Sequence, residues 1–225
     1  YDNFESAKNV FDTADKVLSK NISTMCFEGP EDSLKQTINT QPSIVTMSIA
    51  AMEALKSELD ITPSYTAGHS LGEYCAMYTS GVMSLADLMS ATKGGSMAAV
   101  LNASEEQLKA GLEEGSKVGY VDVANYNSPA QVVITGAEDA VKAASDYMVA
   151  NGVRRVVPLA VSGAFHSKFM ENAGKEFAEF VSNLDLNNAS IPVITNVDAE
   201  ITTNSEDFRV KMPKQIYSSV HWTQT

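Results

Sequence analysis

The sequence is poor in the residues that build covalent or metal-held frameworks. Its 225 residues include two cysteines, Cys26 and Cys75, and three widely separated histidines, His69, His166 and His221. Two isolated cysteines make no disulfide framework, and neither has the paired spacing of a zinc ligand. No metal is therefore expected, and a reduced, cytoplasmic compartment is. No apolar run approaches the roughly 18 residues that a membrane span needs, and no signal peptide is visible. Positive charge is also scarce: 16 Lys and Arg stand against 28 Asp and Glu, a net charge of −12. Nucleic acid is not an expected partner, because a phosphate backbone needs a basic face. Small anions can still be met locally by a few cations or by helix N-termini. What is present, 44% hydrophobic and 20% charged residues, is the balance of an ordinary globular chain. Its length suits one large domain, with or without a smaller inserted one. The first residue is Tyr1 and not Met, so the chain is expected to begin inside a longer one.

One stretch carries chemistry. Tyr65-Thr-Ala-Gly-His-Ser-Leu-Gly-Glu-Tyr74 contains Gly68-His69-Ser70-Leu71-Gly72, a G-x-S-x-G pattern between an extended run and a helical one. In that setting the serine sits on a strand-to-helix turn tight enough to require glycine two positions before and two after it. Free N–H groups and the dipole at the helix head can then stabilise an oxyanion. Ser70 is the candidate nucleophile. A serine needs a base, usually histidine. His69 adjoins the serine, but neighbours at such a turn point in different directions, and His221 beside Trp222 reads equally as a packed residue. His166 lies in a Gly- and Ser-containing loop after a strand-like run, downstream of the serine as in α/β-hydrolase-like folds. The pattern alone leaves His166 open between a base and a structural residue.

Along the chain, Phe4, Ala7, Phe11, Ala14 and Leu18 predict a helix over 4–18. Met25 to Pro30 reads as a loop. A core-facing helix is expected from Gln41 to Leu59, with Pro42 in its first turn and Val45, Ile49, Met52, Leu55 and Leu59 on the buried stripe. Ile61 to Ala67 reads as a strand and Glu73 to Ser80 as the helix behind the serine, ended by Gly81. Strands are then expected at 96–101, 120–125, 131–136 and 153–159, with Asn127-Ser-Pro129 as a turn. Helices fall at 104–114, opened by a Ser104/Gln107 capping box, and at 138–151. That β-α-β-β-α-β order is ferredoxin-like. The fold class read here is α/β: a large α/β-hydrolase-like domain with a parallel sheet core, residues 1–94 and 159–225, and an inserted ferredoxin-like subdomain, residues 95–158. After the His166 loop, a helix is expected over 168–184 and a strand over 191–197, Pro192 near its start. The last forty residues read as less regular.

Five motifs occur together and in order: Asn39-Thr-Gln-Pro42, Gly68-His-Ser-Leu-Gly-Glu-Tyr74, Ala124-Asn-Tyr-Asn-Ser-Pro129, Val161-Ser-Gly-Ala-Phe-His-Ser167 and Ser190-Ile-Pro-Val-Ile-Thr-Asn-Val197. Nearly end to end, the sequence resembles the malonyl-CoA:acyl-carrier-protein transacylase family of bacterial fatty acid synthesis. The acyltransferase domains of fatty acid and polyketide synthases share these motifs. The resemblance implies a ping-pong transfer in which Ser70, deprotonated by His166, takes a malonyl group from coenzyme A. The phosphopantetheine thiol of acyl carrier protein then takes it from Ser70. No cofactor is implied beyond the coenzyme A thioester and the partner's phosphopantetheine. The resemblance further implies the Leu71 N–H as half of the oxyanion hole, backbone carbonyls near Gln215 steadying the base, and Phe165 crowding out an α-methyl group. It places His69 and Asn127 with Phe165 and Gln215 around the substrate, and a monomer is expected.

Two family features are missing. The glutamine loop that completes the oxyanion hole would precede Tyr1. The arginine that pairs with the malonyl carboxylate would follow Leu88, but Met89 runs into Ser90-Ala-Thr-Lys-Gly94 and no arginine lies between Ser70 and Arg154. The expectation is that this sequence joins segments of a longer protein. A serine hydrolase or thioesterase built on the same pair is the rival reading, with Asp185 or Asp198 as a candidate acid. A non-catalytic scaffold and a polyketide-type acyltransferase are the others. Lys168, Arg209, Lys211 and Lys214 are candidate cations for an acidic carrier protein.

Overall fold

The computed structural model describes residues 1–35, 37–89, 97–159 and 165–225. The expected strand start at Ser96, the stretch Ser90 to Gly94 where the family's arginine would fall, and Val161 to Ala164 lie outside the described residues. The fold is α/β. The chain groups into two compact units: Tyr1–Lys93 with Ser182–Thr195 and Ile201–Arg209, and Gly94–Val181 with Asn196–Glu200 and Val210–Thr225. Residues 165–181 fall in the second unit.

The first unit opens with helix α1, Glu5–Leu18, which buries Ala7, Val10, Phe11 and Ala14 at the expected three- and four-residue steps. Most of the stretch read as a loop, Met25 to Glu28, is the end of helix α2, Ile22–Glu28, and a short helix α3, Glu31–Leu34, follows Pro30. Ile22 anchors α2 in full burial, and the Asp15 carboxylate accepts the Ser23 N–H at 3.0 Å, a cap supplied from another helix. Helix α4, Thr37–Glu58, begins one turn before Pro42 and contains it. A proline there removes one N–H, and the Thr46 hydroxyl turns back to the Pro42 carbonyl at 2.8 Å. Val45 and Ile49 are buried as expected, but Leu55 and Leu59 are 43% and 50% exposed, so the core stripe covers only the first half of α4.

The expected strand over 61–67 narrows to β1, Thr66–Ala67, which feeds helix α5, Gly72–Thr79, and then α6, Leu85–Met89. The Thr66 hydroxyl meets that of Ser80 at 2.7 Å, tying the strand to the far end of α5. The Ser80 carbonyl in turn accepts both the N–H and the hydroxyl of Ser190, at 2.9 Å each.

The second unit contains β2, Met97–Leu101; α7, Glu105–Ser116; β3, Val121–Ser128; β4, Gln131–Gly136; α8, Glu138–Ala150; and β5, Arg155–Leu159. The sheet order is β3-β4-β2-β5, and every neighbouring pair is antiparallel. The capping box at Ser104 and Gln107 forms with both hydrogen bonds. Alternate strand residues Ala98, Val100, Val121 and Ile134 pack against Ala140, Ala144 and Met148 of α8 in one core. A short 3-10 turn, Lys168–Met170, precedes α9, Glu171–Ser182.

Back in the first unit, β6, Val193–Ile194, pairs parallel with β1, and β7, Ile201–Thr202, pairs antiparallel with β6. The sheet expected to be parallel is therefore mixed here, because a connection of a few residues between β6 and β7 is too short for a crossover. The tail read as irregular contains a thirteen-residue helix, α10, Ser205–Tyr217. Phe208 and Met212 bury themselves four residues apart, while Pro213 interrupts the local pattern.

Candidate active site

Ser70 sits on the sharp turn between β1 and α5, with φ 51°, a left-handed conformation that a non-glycine residue adopts at a cost of about 1–2 kcal/mol. Such strain is held only where the surroundings over-determine it. Here they do. A Cβ on Gly68 would lie 1.9 Å from the Gly72 carbonyl oxygen and 2.7 Å from the Glu73 nitrogen, so the chain closes on itself against bare glycine. Gly72 differs from the expectation: a Cβ there would meet nothing within 4 Å. The tightness of the elbow rests on Gly68 alone.

The turn is laced by its own backbone. The Gly72 N–H donates to the His69 carbonyl at 2.9 Å and the Glu73 N–H to the Ser70 carbonyl at 3.0 Å. Among the described residues the Leu71 N–H makes no hydrogen bond and stands at the head of α5, where the helix dipole is positive. Behind it, Glu73 is 1% exposed and Tyr74 is fully packed. Burial, and after it the Glu73 carboxylate, hold the Tyr74 phenol protonated far above its ordinary range. The elbow is thus backed by a neutral tyrosine and a carboxylate in the first helical turn, a favourable place for negative charge.

His166 is 5% exposed and also left-handed, at φ 55°. It is gripped by the carboxyl end of α10. Its backbone N–H donates to the Ile216 carbonyl at 3.0 Å, and its ring Nδ1 lies 2.8 Å from the Gln215 carbonyl and 3.2 Å from that of Ser218. Carbonyls only accept, so Nδ1 carries the proton and Nε2 is the acceptor nitrogen of the ring. The carbonyls that a helix leaves unpaired in its last turn are thereby used. Where a catalytic triad would have a carboxylate at Nδ1, this site has two main-chain carbonyls.

The structure thus brings His166 and Gln215 together in the second unit, and groups His69, Ser70 and Leu71 in the elbow of the first. Gln215 is buried and contributes its main chain to His166. Phe165, half-buried, directly precedes His166. Asn127, expected in a turn, is the penultimate residue of β3, and its amide reaches Gln131 at 3.5 Å across the hairpin. The Ser218 carbonyl was not anticipated. Of the candidate carrier-docking cations, Lys211 is paired with Asp198 at 2.8 Å, and Arg209 donates to the Leu184 carbonyl and lies beside Glu206. Lys168 lies 4.1 Å over the Tyr120 ring, and Lys214 is exposed. Among the described residues no cluster of His, Cys, Asp and Glu could hold a metal ion, and no helix is long and apolar enough to cross a membrane.

Residues 1–212 match the acyl transferase domain family. The chain belongs to that family. This acyltransferase is 38% identical over 239 aligned positions to the malonyl CoA-acyl carrier protein transacylase of Bacillus subtilis (strain 168), covering 100% of this chain and 75% of that protein. It is equally, 38%, identical to a polyketide biosynthesis malonyl CoA-acyl carrier protein transacylase of the same organism, over 99% of this chain and 80% of that one. Its backbone also superposes, with a TM-score of 0.92 and 31% identity, on a malonyl-transacylase solved in complex with its type II polyketide acyl-carrier protein, over 99% of this chain and 76% of that chain.

Proposed function

We propose that this acyltransferase moves a malonyl group from malonyl-CoA to the phosphopantetheine thiol of an acyl carrier protein, through a malonyl-Ser70 ester. The observation that carries the reading is the strained elbow: a left-handed serine at a helix head, beside a Leu71 N–H that makes no hydrogen bond among the described residues. The names of the relatives supply the acyl group and the acceptor.

In this reading His166 Nε2 takes the Ser70 proton as Oγ attacks the thioester carbonyl. The oxyanion is held at the Leu71 N–H, and the imidazolium is stabilised by the carbonyls and dipole of the α10 carboxyl end, an effect on the order of 0.3–1 kcal/mol from the dipole. The C–S bond breaks, and the imidazolium returns its proton to the coenzyme A thiolate. The carrier's thiol then repeats the steps in reverse, giving its proton to His166 as its sulfur attacks the ester. Water would do the same in a hydrolase. Phe165 limits substituents at the acyl α-carbon, and His69, Asn127 and Gln215 line the substrate. No further cofactor takes part. The first unit is read as α/β-hydrolase-like, the four-stranded part of the second as ferredoxin-like, and the protein as a cytoplasmic monomer. The transfer is the same chemistry whether it serves fatty acid or polyketide synthesis, and the two Bacillus relatives share the same identity with this chain.

The test is intact mass after mixing with malonyl-CoA, then addition of holo acyl carrier protein. A malonyl adduct lost in Ser70→Ala, and passed to the carrier faster than to water, is the expected result. Hydrolysis outrunning transfer would make the protein a thioesterase, and absence of an adduct would make it a non-catalytic relative.

A further inference from the structure

Strand β3 ends the order of the four-stranded sheet, so one of its edges would otherwise offer unpaired backbone groups. The chain that leaves α10 covers that edge. Val220 donates its N–H to the Ala124 carbonyl at 2.8 Å and accepts the Tyr126 N–H at 3.0 Å, and the Thr223 N–H donates to the Tyr126 carbonyl at 2.9 Å. Two side chains add to the seam: the Ser219 hydroxyl donates to the Val123 carbonyl at 2.5 Å and the Thr223 hydroxyl to that of Tyr126 at 2.8 Å. Val220 is completely buried. A register shift lies at this point of β3, where Val123 pairs with Ile134 and Asn125 with Val133. Such a bulge turns successive backbone groups out of the ladder, and here the carbonyls of Val123 and Ala124 both receive bonds from the covering segment.

The segment directly before this seam is the one that grips His166. Gln215 and Ile216 belong to α10, so the helix places their carbonyls. Ser218 lies beyond the last helical residue, Tyr217, so its carbonyl is placed by its other neighbour, Ser219, which is bonded to β3. Hence we infer that residues 219–223 form a positioning strap for the imidazole, in which Ser219 anchors the peptide whose carbonyl holds Nδ1. The strap would convert an open sheet edge into a fixed acceptor for a histidine 52 residues away in sequence. The role of Ser219 rests on reading His166 as the base of the acyl transfer.

The test compares Ser219→Ala and Ser219→Thr in the full chain, with His166→Ala as the control for the base itself. The readouts are the malonylation rate of Ser70 at saturating malonyl-CoA, the KM for malonyl-CoA, and the 15N shifts of the His166 ring. Ser219→Ala is expected to slow acylation about two- to tenfold, the factor that one ordinary hydrogen bond contributes. KM should stay unchanged while the ring shifts move away from the Nδ1–H tautomer, and Ser219→Thr should restore both. Thr223→Val reads the same strap from its far end if Ser219→Ala folds poorly. Unchanged acylation and ring shifts in Ser219→Ala, with His166→Ala inactive, would overturn the strap while leaving the base. Full acylation by His166→Ala would overturn the base reading itself.

Discussion

The two glycines of the elbow make the sharpest prediction, because sequence pattern treats them alike and the structure does not. At Gly68 an alanine methyl would stand 1.9 Å from the Gly72 carbonyl oxygen and 2.1 Å from its carbon. Those are backbone atoms of the turn itself, so no rotamer change relieves the clash. Overpacking in a site that can adjust costs about 1–3 kcal/mol, and a site that cannot adjust belongs at or above the top of that range. At about 2–4 °C per kcal/mol for a protein of this size, Gly68→Ala is expected to lower Tm by about 6–12 °C. The elbow would have to shift on the order of 1 Å to admit the methyl, and misplacement on that scale costs roughly 100-fold in rate. Gly72→Ala should do the opposite to stability. Its methyl meets nothing within 4 Å and its φ is not among the positive ones. Restricting the unfolded chain then contributes about 0.4–1 kcal/mol, a rise in Tm of about 1–4 °C. Calorimetry on both variants, with the malonylation rate of Gly68→Ala by intact mass, settles the matter. Equal destabilisation by the two substitutions, or a Gly68→Ala variant with the parent's Tm and rate, would refute the argument.

Two further outcomes rest on the same kind of reasoning. In α7, Gly115→Ala should cost about 1–3 kcal/mol in a chemical melt, since its methyl meets the Ala140 carbonyl at 2.6 Å and Ala144 and Val121 at 2.8 Å. Gly111→Ala, four residues earlier, would put its methyl 2.5 Å from Cγ of the fully buried Met148, so it too should destabilise, offset in part by up to about 1 kcal/mol of helix propensity. Burial pushes the Cys75 thiol up to about 11. Alkylation of Cys75, read by peptide mass, should therefore be slow at pH 8 and accelerate about tenfold per pH unit until about pH 11. The folded thiol titrates above the unfolded value of about 8.5, so its contribution to stability is complete below that pH and is lost as pH rises towards 11. Rapid labelling at pH 8 would contradict the burial argument.

What could be read from sequence was what short-range chemistry decides. The Ser104/Gln107 capping box is a reciprocal bond pair within four residues, and it forms as read. The four strands around α7 and α8 were legible in their order along the chain, because apolar runs bounded by turn and cap signals mark each of them. Elements that depend on distant partners were missed. The cap on α2 comes from Asp15 in α1, and α10 draws its stability from burying Phe208 and Met212 despite an interior proline. The late part of the α4 stripe shows the converse error. Leu55 and Leu59 have the periodicity of a core face and remain exposed, because period reports which residues share a side and not whether anything covers that side.

The site divides along the same line. Ser70 announces itself because an elbow is a local device: glycine, serine and helix head all lie within five residues. His166 does not, because the groups that orient it are 49 and 52 residues away and are main-chain carbonyls. A carboxylate partner would leave a residue type to look for, as the triad logic does when it sends one to Asp185 or Asp198. Asp198 is engaged instead with Lys211. A carbonyl partner leaves no residue type at all, since every amino acid has one. Gln215 therefore surfaced through the resemblance and Ser218 not at all. The only trace that such an arrangement leaves in sequence lies in the residues that fix the backbone nearby, which is why the Ser219 hydroxyl, and not any side chain touching His166, is where the orientation of its ring can be probed by substitution.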